Sequence, residues 1–242
     1  MRTSNKILAG TFIIVLLIIT GIHLALYAKY KSNDFITMKY LHEERYESYP
    51  LKEIRTVSLT GLQNVTIIPS DTARVEIEKN GERRLVHEFT NGVLIIKGDT
   101  TITNNTGTPE RIRSWRSVII YLPANQAIKS DDCELTIRGT KDSTKLFSIN
   151  AEMNTTELHL GELNMSESAH GDYFSRISIS KSVGGSVDIS QNAVVKEMNI
   201  DIETGNFEDN NAALGVINMV ADSTSTIKLS GKNIAKTKFT IK

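Results

Sequence analysis

The hydrophobic and polar positions follow three patterns along the chain. Residues 7–28 form an uncharged run in which thirteen positions are Leu, Ile, Val or Phe, and residues 29–52 are polar. From residue 53 onward, short segments alternate between apolar and polar positions. A helix over residues 7–28 would be about 33 Å long at about 1.5 Å per residue, close to the thickness of a hydrocarbon core. The pattern predicts a short tail over residues 1–6, a transmembrane helix over 7–28, a juxtamembrane linker over 29–52 and then strands.

The apolar run could also be a cleaved signal peptide, because Arg2 and Lys6 form a basic start. Its apolar length exceeds the usual 7–15 residues of such a segment, and Leu26-Tyr27-Ala28 is a poor cleavage site. We therefore predict an uncleaved signal anchor that contacts membrane lipid through residues 7–28. The flanking positive charges are nearly balanced, so orientation rests on the short N-terminus before a long polar region. The expected protein crosses the membrane once, with a periplasmic or extracellular head domain.

Residues 53–125 are expected to form the N-terminal β region of that head domain. The alternation predicts strands at 56–60, 65–69, 74–78, 85–89, 93–97 and 117–123. Asn91-Gly92 favours a type I′ hairpin turn, and Lys79-Asn80-Gly81-Glu82 favours another turn. Residues 99–114, rich in Thr, Asn, Gly and Arg, are expected to form an exposed loop.

Short apolar segments recur between residues 126 and 242, about 19 to 23 positions apart, a spacing typical of solenoid coils. We assign one row of strands to 134–137, 157–160, 177–180, 198–202, 217–220 and 239–241. A second row is assigned to 147–149, 164–166, 187–189, 206–208 and 227–229. Stacked coils would join ten side chains into one core: Leu135, Ile137, Leu158, Leu160, Ile177, Ile179, Val187, Ile189, Ile200 and Ile202. An antiparallel sandwich fits the same pattern, but the absence of Asn-Gly or Asp-Gly turns after residue 125 favours the solenoid.

The region from Ile54 to Lys242 resembles the auto-transporter adhesin head domain, also called the GIN domain or DUF2807, and the related DUF4097 group. The resemblance rests on strand patterns at 57–67, 74–78, 91–96 and 117–123, the last reading Ser-Val-Ile-Ile-Tyr-Leu-Pro. It implies an all-β fold in a bacterial envelope protein. That fold is a right-handed parallel β-helix with a partly antiparallel N-terminal strand region, here preceded by one transmembrane helix. The resemblance implies no established activity.

The charge balance and the single cysteine limit the classes of function. Lys plus Arg and Asp plus Glu each number 28, which argues against a basic nucleic-acid-binding surface. Cys133 is the only cysteine, so an intramolecular disulfide is impossible, and we expect it to be a small buried hydrophobe. No nucleotide-binding loop, zinc-protease motif or nucleophile elbow is present, and we predict no cofactor and no enzyme.

Several side chains are candidates for binding or catalysis. Glu157 and His159 alternate onto one outward face and would make a weak metal site, although a solvated flank is the stronger interpretation. Asp131, Asp132 and Glu134 could attract calcium, but they lack the rhythm of calcium-binding β-rolls. The segment 170–173, His-Gly-Asp-Tyr, indicates a turn. A polysaccharide-active enzyme would need acidic residues in one cleft, and the candidates on neighbouring coils are Asp188, Asp201 and Glu203.

The most distinctive surface segment places three arginines around the only tryptophan. Because Arg and Trp are common interface anchors, we predict a contact patch formed by Arg111, Arg113, Trp115 and Arg116. Alternatively, Trp115 caps one end of the core. The leading hypothesis is a non-enzymatic envelope protein whose solenoid binds glycan, polymer, protein or another copy of itself. A polysaccharide-active enzyme and an envelope scaffold are the alternatives.

Overall fold

The computed structural model describes residues 3–31, 38–79, 85–98, 101–103, 109–111, 113–145, 147–161 and 171–242. The chain forms two compact units, Met1–Glu44 and Arg45–Lys242. The predicted turn at 79–82 and the predicted strand at 164–166 fall largely or wholly outside the described residues.

The first unit contains one long apolar helix, α1 (Thr3–Lys31), within which Leu8–Lys31 has a mean hydropathy of 2.4. Its length and composition are sufficient to cross a membrane, and a signal sequence would have the same properties. Two of its polar side chains bond to carbonyl oxygens one turn earlier: Thr20 Oγ1 to Leu16 at 2.8 Å and His23 Nδ1 to Ile19 at 2.8 Å. These bonds lower the cost of placing Thr20 and His23 in an apolar medium.

A short helix and a strand follow within the predicted linker. They are α2 (Met38–Arg45) and β1 (Tyr46–Pro50), and β1 pairs antiparallel with residues 74–78. The second compact unit begins at Arg45, and the division into a linker over 29–52 and a β region over 53–125 stays a prediction. The polar composition of Tyr46–Pro50 hid this strand because it lies at a sheet edge, where side chains remain solvated.

Most of the second unit is β-strand. The strands before residue 126 are β2 (Thr56–Thr60), β3 (Leu62–Pro69), β4 (Arg74–Glu78), β5 (Leu85–Thr90), β6 (Val93–Gly98), β7 (Thr101–Thr103), β8 (Pro109–Arg111) and β9 (Ser114–Leu122). Those after it are β10 (Gln126–Asp131), β11 (Glu134–Ile137), β12 (Ser148–Asn154), β13 (Glu157–Leu160), β14 (Asp172–Val183), β15 (Ser186–Ile189), β16 (Ala193–Glu203), β17 (Asn206–Glu208), β18 (Ala213–Ala221), β19 (Thr226–Lys228) and β20 (Thr237–Ile241). One short helix, α3 (Gly231–Ile234), precedes β20.

Two nine-stranded sheets contain nearly all of these strands. Sheet 1 has the order β1-β4-β9-β3-β11-β13-β15-β17-β19, and sheet 2 has the order β20-β18-β16-β14-β12-β10-β2-β6-β5. From β10 to β20, each strand lies in the other sheet from the one before it, and each pairs in parallel with its neighbours. This is not the pairing of an antiparallel sandwich. Antiparallel pairs occur at the N-terminal end of both sheets, where β1, β4 and β5 lie.

The tight corner from sheet 2 to sheet 1 repeats along the stack. Its corner residue has a positive φ in five successive layers: Gly61 (66°), Asp132 (54°), Thr155 (47°), Gly184 (66°) and Thr204 (53°). Asp132 donates its N–H to the carbonyl of Asn154, and Thr155 donates its N–H to the carbonyl of Val183. Each corner is thus bonded to the next layer, which fixes the layer spacing at the strand ends.

Alternate side chains of both sheets point inward and form one continuous core. All ten core residues predicted from the alternation are at most 3% exposed and belong to this cluster. Phe174 and Phe207 are its largest fully buried side chains. The prediction of an apolar core shared by successive segments is confirmed.

The two rows of strands predicted after residue 125 must be regrouped. Sheet 1 contains 134–137, 157–160, 187–189, 206–208 and 226–228, whereas sheet 2 contains 148–154, 172–183, 193–203, 213–221 and 237–241. The predicted rows change sheets between β13, which ends at Leu160, and β14, which begins at Asp172. Alternation shows which side chains point inward, but it does not show to which sheet a segment belongs.

Two loop predictions were wrong and one hairpin prediction is confirmed. Within 99–114, β7 and β8 pair antiparallel, and Ser114 already belongs to β9. Asp172, expected in a turn, begins β14 and is buried. Its carboxylate accepts the N–H of Gly139, which compensates for the burial. The predicted hairpin is formed by β5 and β6. Its turn residues Asn91 and Gly92 have φ of 54° and 78°, as a type I′ turn requires.

Candidate functional site

Trp115 lies on a β-bulge at the start of β9. Leu62 and Asn64 of β3 pair with Ser114 and Ser117 of β9, so one residue of β3 faces both Trp115 and Arg116. A bulge re-aims a side chain, and bulges are rare in parallel pairs such as β3–β9. Trp115 is turned out of the sheet and is 67% exposed. The alternative in which Trp115 caps the core is therefore wrong.

Hydrogen bonds hold the bulge on both sides. The N–H of Ser114 donates to the carbonyl of Gly61 at 2.7 Å, and the N–H of Ser117 donates to Glu78 Oε2 at 3.1 Å. This second bond, with help from Arg45 and against the effect of burial, lowers the pKa of Glu78. The carboxylate is thus kept ionised as the acceptor that fixes the bulge. The indole is consequently presented from a rigid backbone, which reduces the entropy lost when a partner binds.

Arg113 joins two neighbouring corners of the sheets. Its Nε donates to Asp132 Oδ1 at 2.9 Å, its Nη1 donates to Glu157 Oε1 at 2.9 Å, and its Nη2 lies 3.5 Å from the carbonyl of Thr155. Burial lowers the pKa of Arg113, but the bonds to both carboxylates outweigh that effect and raise it. Arg113 therefore has a structural role and is not a loose surface charge.

The other two arginines of the predicted patch have different positions. Arg116 donates from Nη2 to the carbonyl of Lys79 at 2.7 Å, while its Nε is buried. Arg111 is the last residue of β8, and its side chain lies outside the described atoms. We therefore define the Trp115 surface as Trp115 together with Arg113 and Arg116, its neighbours in the sequence.

Replacing Arg113 with alanine is expected to destabilise the β unit by about 1–3 kcal/mol, because two carboxylates lose charge-assisted hydrogen bonds. Arg113→Lys should recover only part of that loss, since a lysine cannot reproduce the forked geometry. Urea unfolding of the full-length protein in detergent micelles measures both changes. Equal stability of the wild type and Arg113→Ala would show that Arg113 does not support the corners.

The predicted metal candidates have other partners. Glu157 binds Arg113, and His159 Nδ1 lies 3.8 Å from Asp188 Oδ2 across neighbouring strands. Asp132 also binds Arg113, and Asp131 accepts a 2.6 Å hydrogen bond from Asn154. Among the residues that the structure describes, no three His, Cys, Asp or Glu side chains are grouped as metal ligands.

The acidic residues considered for polysaccharide cleavage do not share a cleft. Asp188 lies on β15 of sheet 1, whereas Asp201 and Glu203 lie on β16 of sheet 2. Lys242 Nζ bridges the latter pair, at 2.7 Å from Asp201 Oδ2 and 3.1 Å from Glu203 Oε1. The structure therefore does not bring the three carboxylates together.

Cys133 is fully buried, and its Sγ lies 3.3 Å from the carbonyl of Asp131. Burial raises the pKa of the Cys133 thiol to about 11, so the thiol remains protonated at neutral pH. Because the thiolate is the nucleophilic form, this cysteine is unreactive. Its prediction as a small buried hydrophobe is confirmed.

Sequence reasoning missed a cleft of about 810 Å³ beside the long corner between β11 and β12. Arg138, Lys141 and Lys145 line it together with Phe147. Lys141 Nζ lies 3.3 Å from the buried carboxylate of Asp172, which helps to compensate for burying that charge. The spacing of basic residues at 138, 141 and 145 was the only signal of this cleft in the sequence.

Sequence reasoning also missed a polar network that joins Asp209 to α3 and to the residue before it. Asp209 is 3% exposed and accepts hydrogen bonds from Asn233 Nδ2 at 2.7 Å and from the N–H and Oγ of Ser230, both at 2.8 Å. Burial raises the pKa of Asp209, but these donors outweigh it and leave the pKa lowered. Because Ser230 and Asn233 lie over twenty positions away, no local motif marks the network.

Comparison with known proteins adds structural similarities of low degree. No protein-family model matches the chain, and no curated protein matches it. A candidate adhesin from Parabacteroides merdae shares 10% identity, with a TM-score of 0.39, over 81% of this chain and 94% of its own. A candidate adhesin from Bacteroides fragilis shares 9% identity, with a TM-score of 0.37 and the same coverage. A candidate lipid-binding protein from Parabacteroides distasonis shares 11%, with a TM-score of 0.31. Similarity at this level carries no argument about the function of this chain.

Proposed function

We propose that this chain is a non-enzymatic envelope protein, held in a membrane by α1, whose β unit binds a glycan or protein partner through the Trp115 surface. The observation that carries the proposal is the exposure of Trp115, 67%, on a bulge whose flanking N–H groups are bonded. A large aromatic side chain on a bonded backbone can be covered by a partner with little loss of entropy. Trp is also among the residues that contribute most to binding at interfaces.

We further propose that the β unit is a right-handed parallel β-helix. The strict alternation of β10–β20 between two sheets supports this, as does parallel pairing throughout that range. Connections between parallel strands are right-handed in nearly all proteins. Extended sheet faces suit extended partners better than small ligands, which bind in concave sites.

The anchor proposal is that α1 is an uncleaved signal anchor with a cytoplasmic N-terminus and an exported β unit. The apolar length of Leu8–Lys31 supports it. Protease treatment of intact cells tests it. An extracellular β unit should be digested directly, and a periplasmic β unit should be digested once the outer layer is opened. A head that remains protected with the cytosolic fraction would contradict export.

Replacing Trp115 with alanine is expected to weaken binding to the proposed partner by about 30-fold or more, as for other tryptophan anchors. Co-sedimentation of the full-length protein, in detergent micelles, with purified peptidoglycan and a panel of neutral and acidic polysaccharides measures the change. The matched control is Val216→Ala, which removes an apolar side chain that is 50% exposed on the other sheet. Equal binding by the wild type and Trp115→Ala would overturn the assignment of this surface.

A further inference from the structure

The two ends of the stacked sheets differ in how their inward-facing side chains are covered. At the C-terminal end, Phe239 and Ile241 of β20 are in register with buried Met219 and Ala221 of β18. They therefore belong to the inward row, yet they are 47% and 68% exposed. Among the described residues, β20 pairs on one side only. The inward row of this sheet thus ends at an uncovered apolar edge.

At the opposite end, β5 is the edge strand of sheet 2. It runs antiparallel to β6, and Phe89 is in register with buried Leu94, so Phe89 also faces inward. Phe89 is 38% exposed. The His87 ring contacts Tyr49 of β1, with centroids 4.5 Å apart, so the two edge strands at this end touch. This end therefore also carries an exposed apolar edge.

The two edges carry opposite charges. On β20 the outward residue next to Phe239 is Lys238, and on β5 the outward residue next to Phe89 is Glu88; both are exposed. Two other lysines near β20 are turned back onto the preceding coil: Lys232 donates to the carbonyl of Asn211 at 2.6 Å and Lys236 to that of Leu214 at 2.7 Å. If a second β20 paired with this edge, Lys238 of one copy would repel Lys238 of the other. If β5 of a second copy paired with it, Glu88 would attract Lys238.

We propose that the C-terminal edge is an interaction surface for a second copy of this chain, whose β5 adds to β20 in a head-to-tail contact. Antiparallel pairing that places Lys238 opposite Glu88 also places Phe239 opposite His87 and Ile241 opposite Leu85. Every inward position then faces an inward position, and every outward position faces an outward one, which is the condition for extending a sheet. Such an interface joins different surfaces of the two copies, so it can continue into a chain of molecules or close into a ring.

Disulfide trapping tests the register in the full-length protein in detergent micelles. Directly opposite residues of an antiparallel pair have Cα atoms about 4.5–5.5 Å apart, within disulfide range. A mixture of Lys238→Cys and Glu88→Cys chains is expected to form a disulfide-linked dimer under mild oxidation, and neither variant alone should do so. Cys133 is fully buried and should not react. Cross-linking of Lys238→Cys with itself would instead show a two-fold contact between C-terminal ends and overturn the proposal.

Charge exchange tests the same contact without cysteines. Lys238→Glu or Glu88→Lys alone should weaken the association of the chains by about tenfold, because the attraction between residues 238 and 88 becomes repulsion. The average molecular mass in solution, measured against protein concentration, reports this change. The double variant carrying both changes should assemble like the wild type. Lys196→Glu, an exposed lysine in the middle of the stack, should have no effect. A single mass at all concentrations would overturn the proposal. Trp115→Ala should assemble normally, so failure of the binding proposal is distinguishable from failure of this one.

Discussion

Replacing Phe207 with alanine is expected to lower the free energy of unfolding by about 3–5 kcal/mol. Phe207 is 1% exposed and lies in β17, a strand of only three residues, between Val187 of β15 and Ile227 of β19. Removing its ring would leave a cavity in the core, and β15 and β17, each bonded on both edges, cannot move to fill it. Urea unfolding followed by far-ultraviolet circular dichroism measures the loss.

The matched control for Phe207 is Phe239→Ala, because both side chains belong to inward rows but Phe239 is 47% exposed. At a protein concentration where no assembly occurs, we expect Phe239→Ala to cost about 1 kcal/mol or less, since little apolar area leaves water at that position. Similar costs for the two variants would contradict the view that stacking of successive layers provides the core.

Replacing Gly185 with alanine is expected to cost about 3 kcal/mol or more. Gly185 has a φ of 77° and follows the corner residue of its layer. A Cβ atom there would lie well inside van der Waals contact with the carbonyl oxygen of Thr156, which is itself completely buried in the neighbouring layer. Left-handed strain alone costs about 1–3 kcal/mol, and the contact with fixed backbone adds to it.

Gly184→Ala is the control, because it separates strain from contact. Gly184 has a φ of 66°, but a Cβ atom there would have no neighbour closer than 3.9 Å. The equivalent corners of adjacent layers use Thr155 and Thr204, so this position accepts a side chain. We expect a cost of about 1 kcal/mol, from the left-handed backbone strain alone. Thermal unfolding of both variants measures the difference, and a Gly184→Ala loss as large as that of Gly185→Ala would contradict the stacked corners.

Local sequence was sufficient to predict the inward residues and the β5–β6 hairpin. Alternation identified Leu158 and Ile200 as core because the side-chain period of a strand is two. It could not assign strands to sheets. The predicted row placed 157–160 beside 177–180, whereas Leu158 pairs with Val187.

The contact patch around Trp115 stays a prediction, and the sequence does not show how its residues are held in place. The sequence shows three arginines beside one tryptophan, and nothing there indicates that Arg113 binds Asp132 and Glu157, 19 and 44 positions away. The bulge was equally hidden, because it depends on the register of β9 against β3. Residues that appeared equivalent in the sequence thus separate into one exposed side chain, Trp115, and arginines bonded to other parts of the β unit.

The fluorescence of Trp115 tests most directly whether this surface contacts a partner, because Trp115 is the only tryptophan in the chain. We predict long-wavelength emission and efficient acrylamide quenching in the full-length protein, as a 67% exposed indole requires. Saturation with a polysaccharide or peptidoglycan that co-sediments with the wild type should shift the emission to shorter wavelength and reduce quenching. Emission already at short wavelength before addition, or quenching that stays unchanged at saturation, would contradict the account.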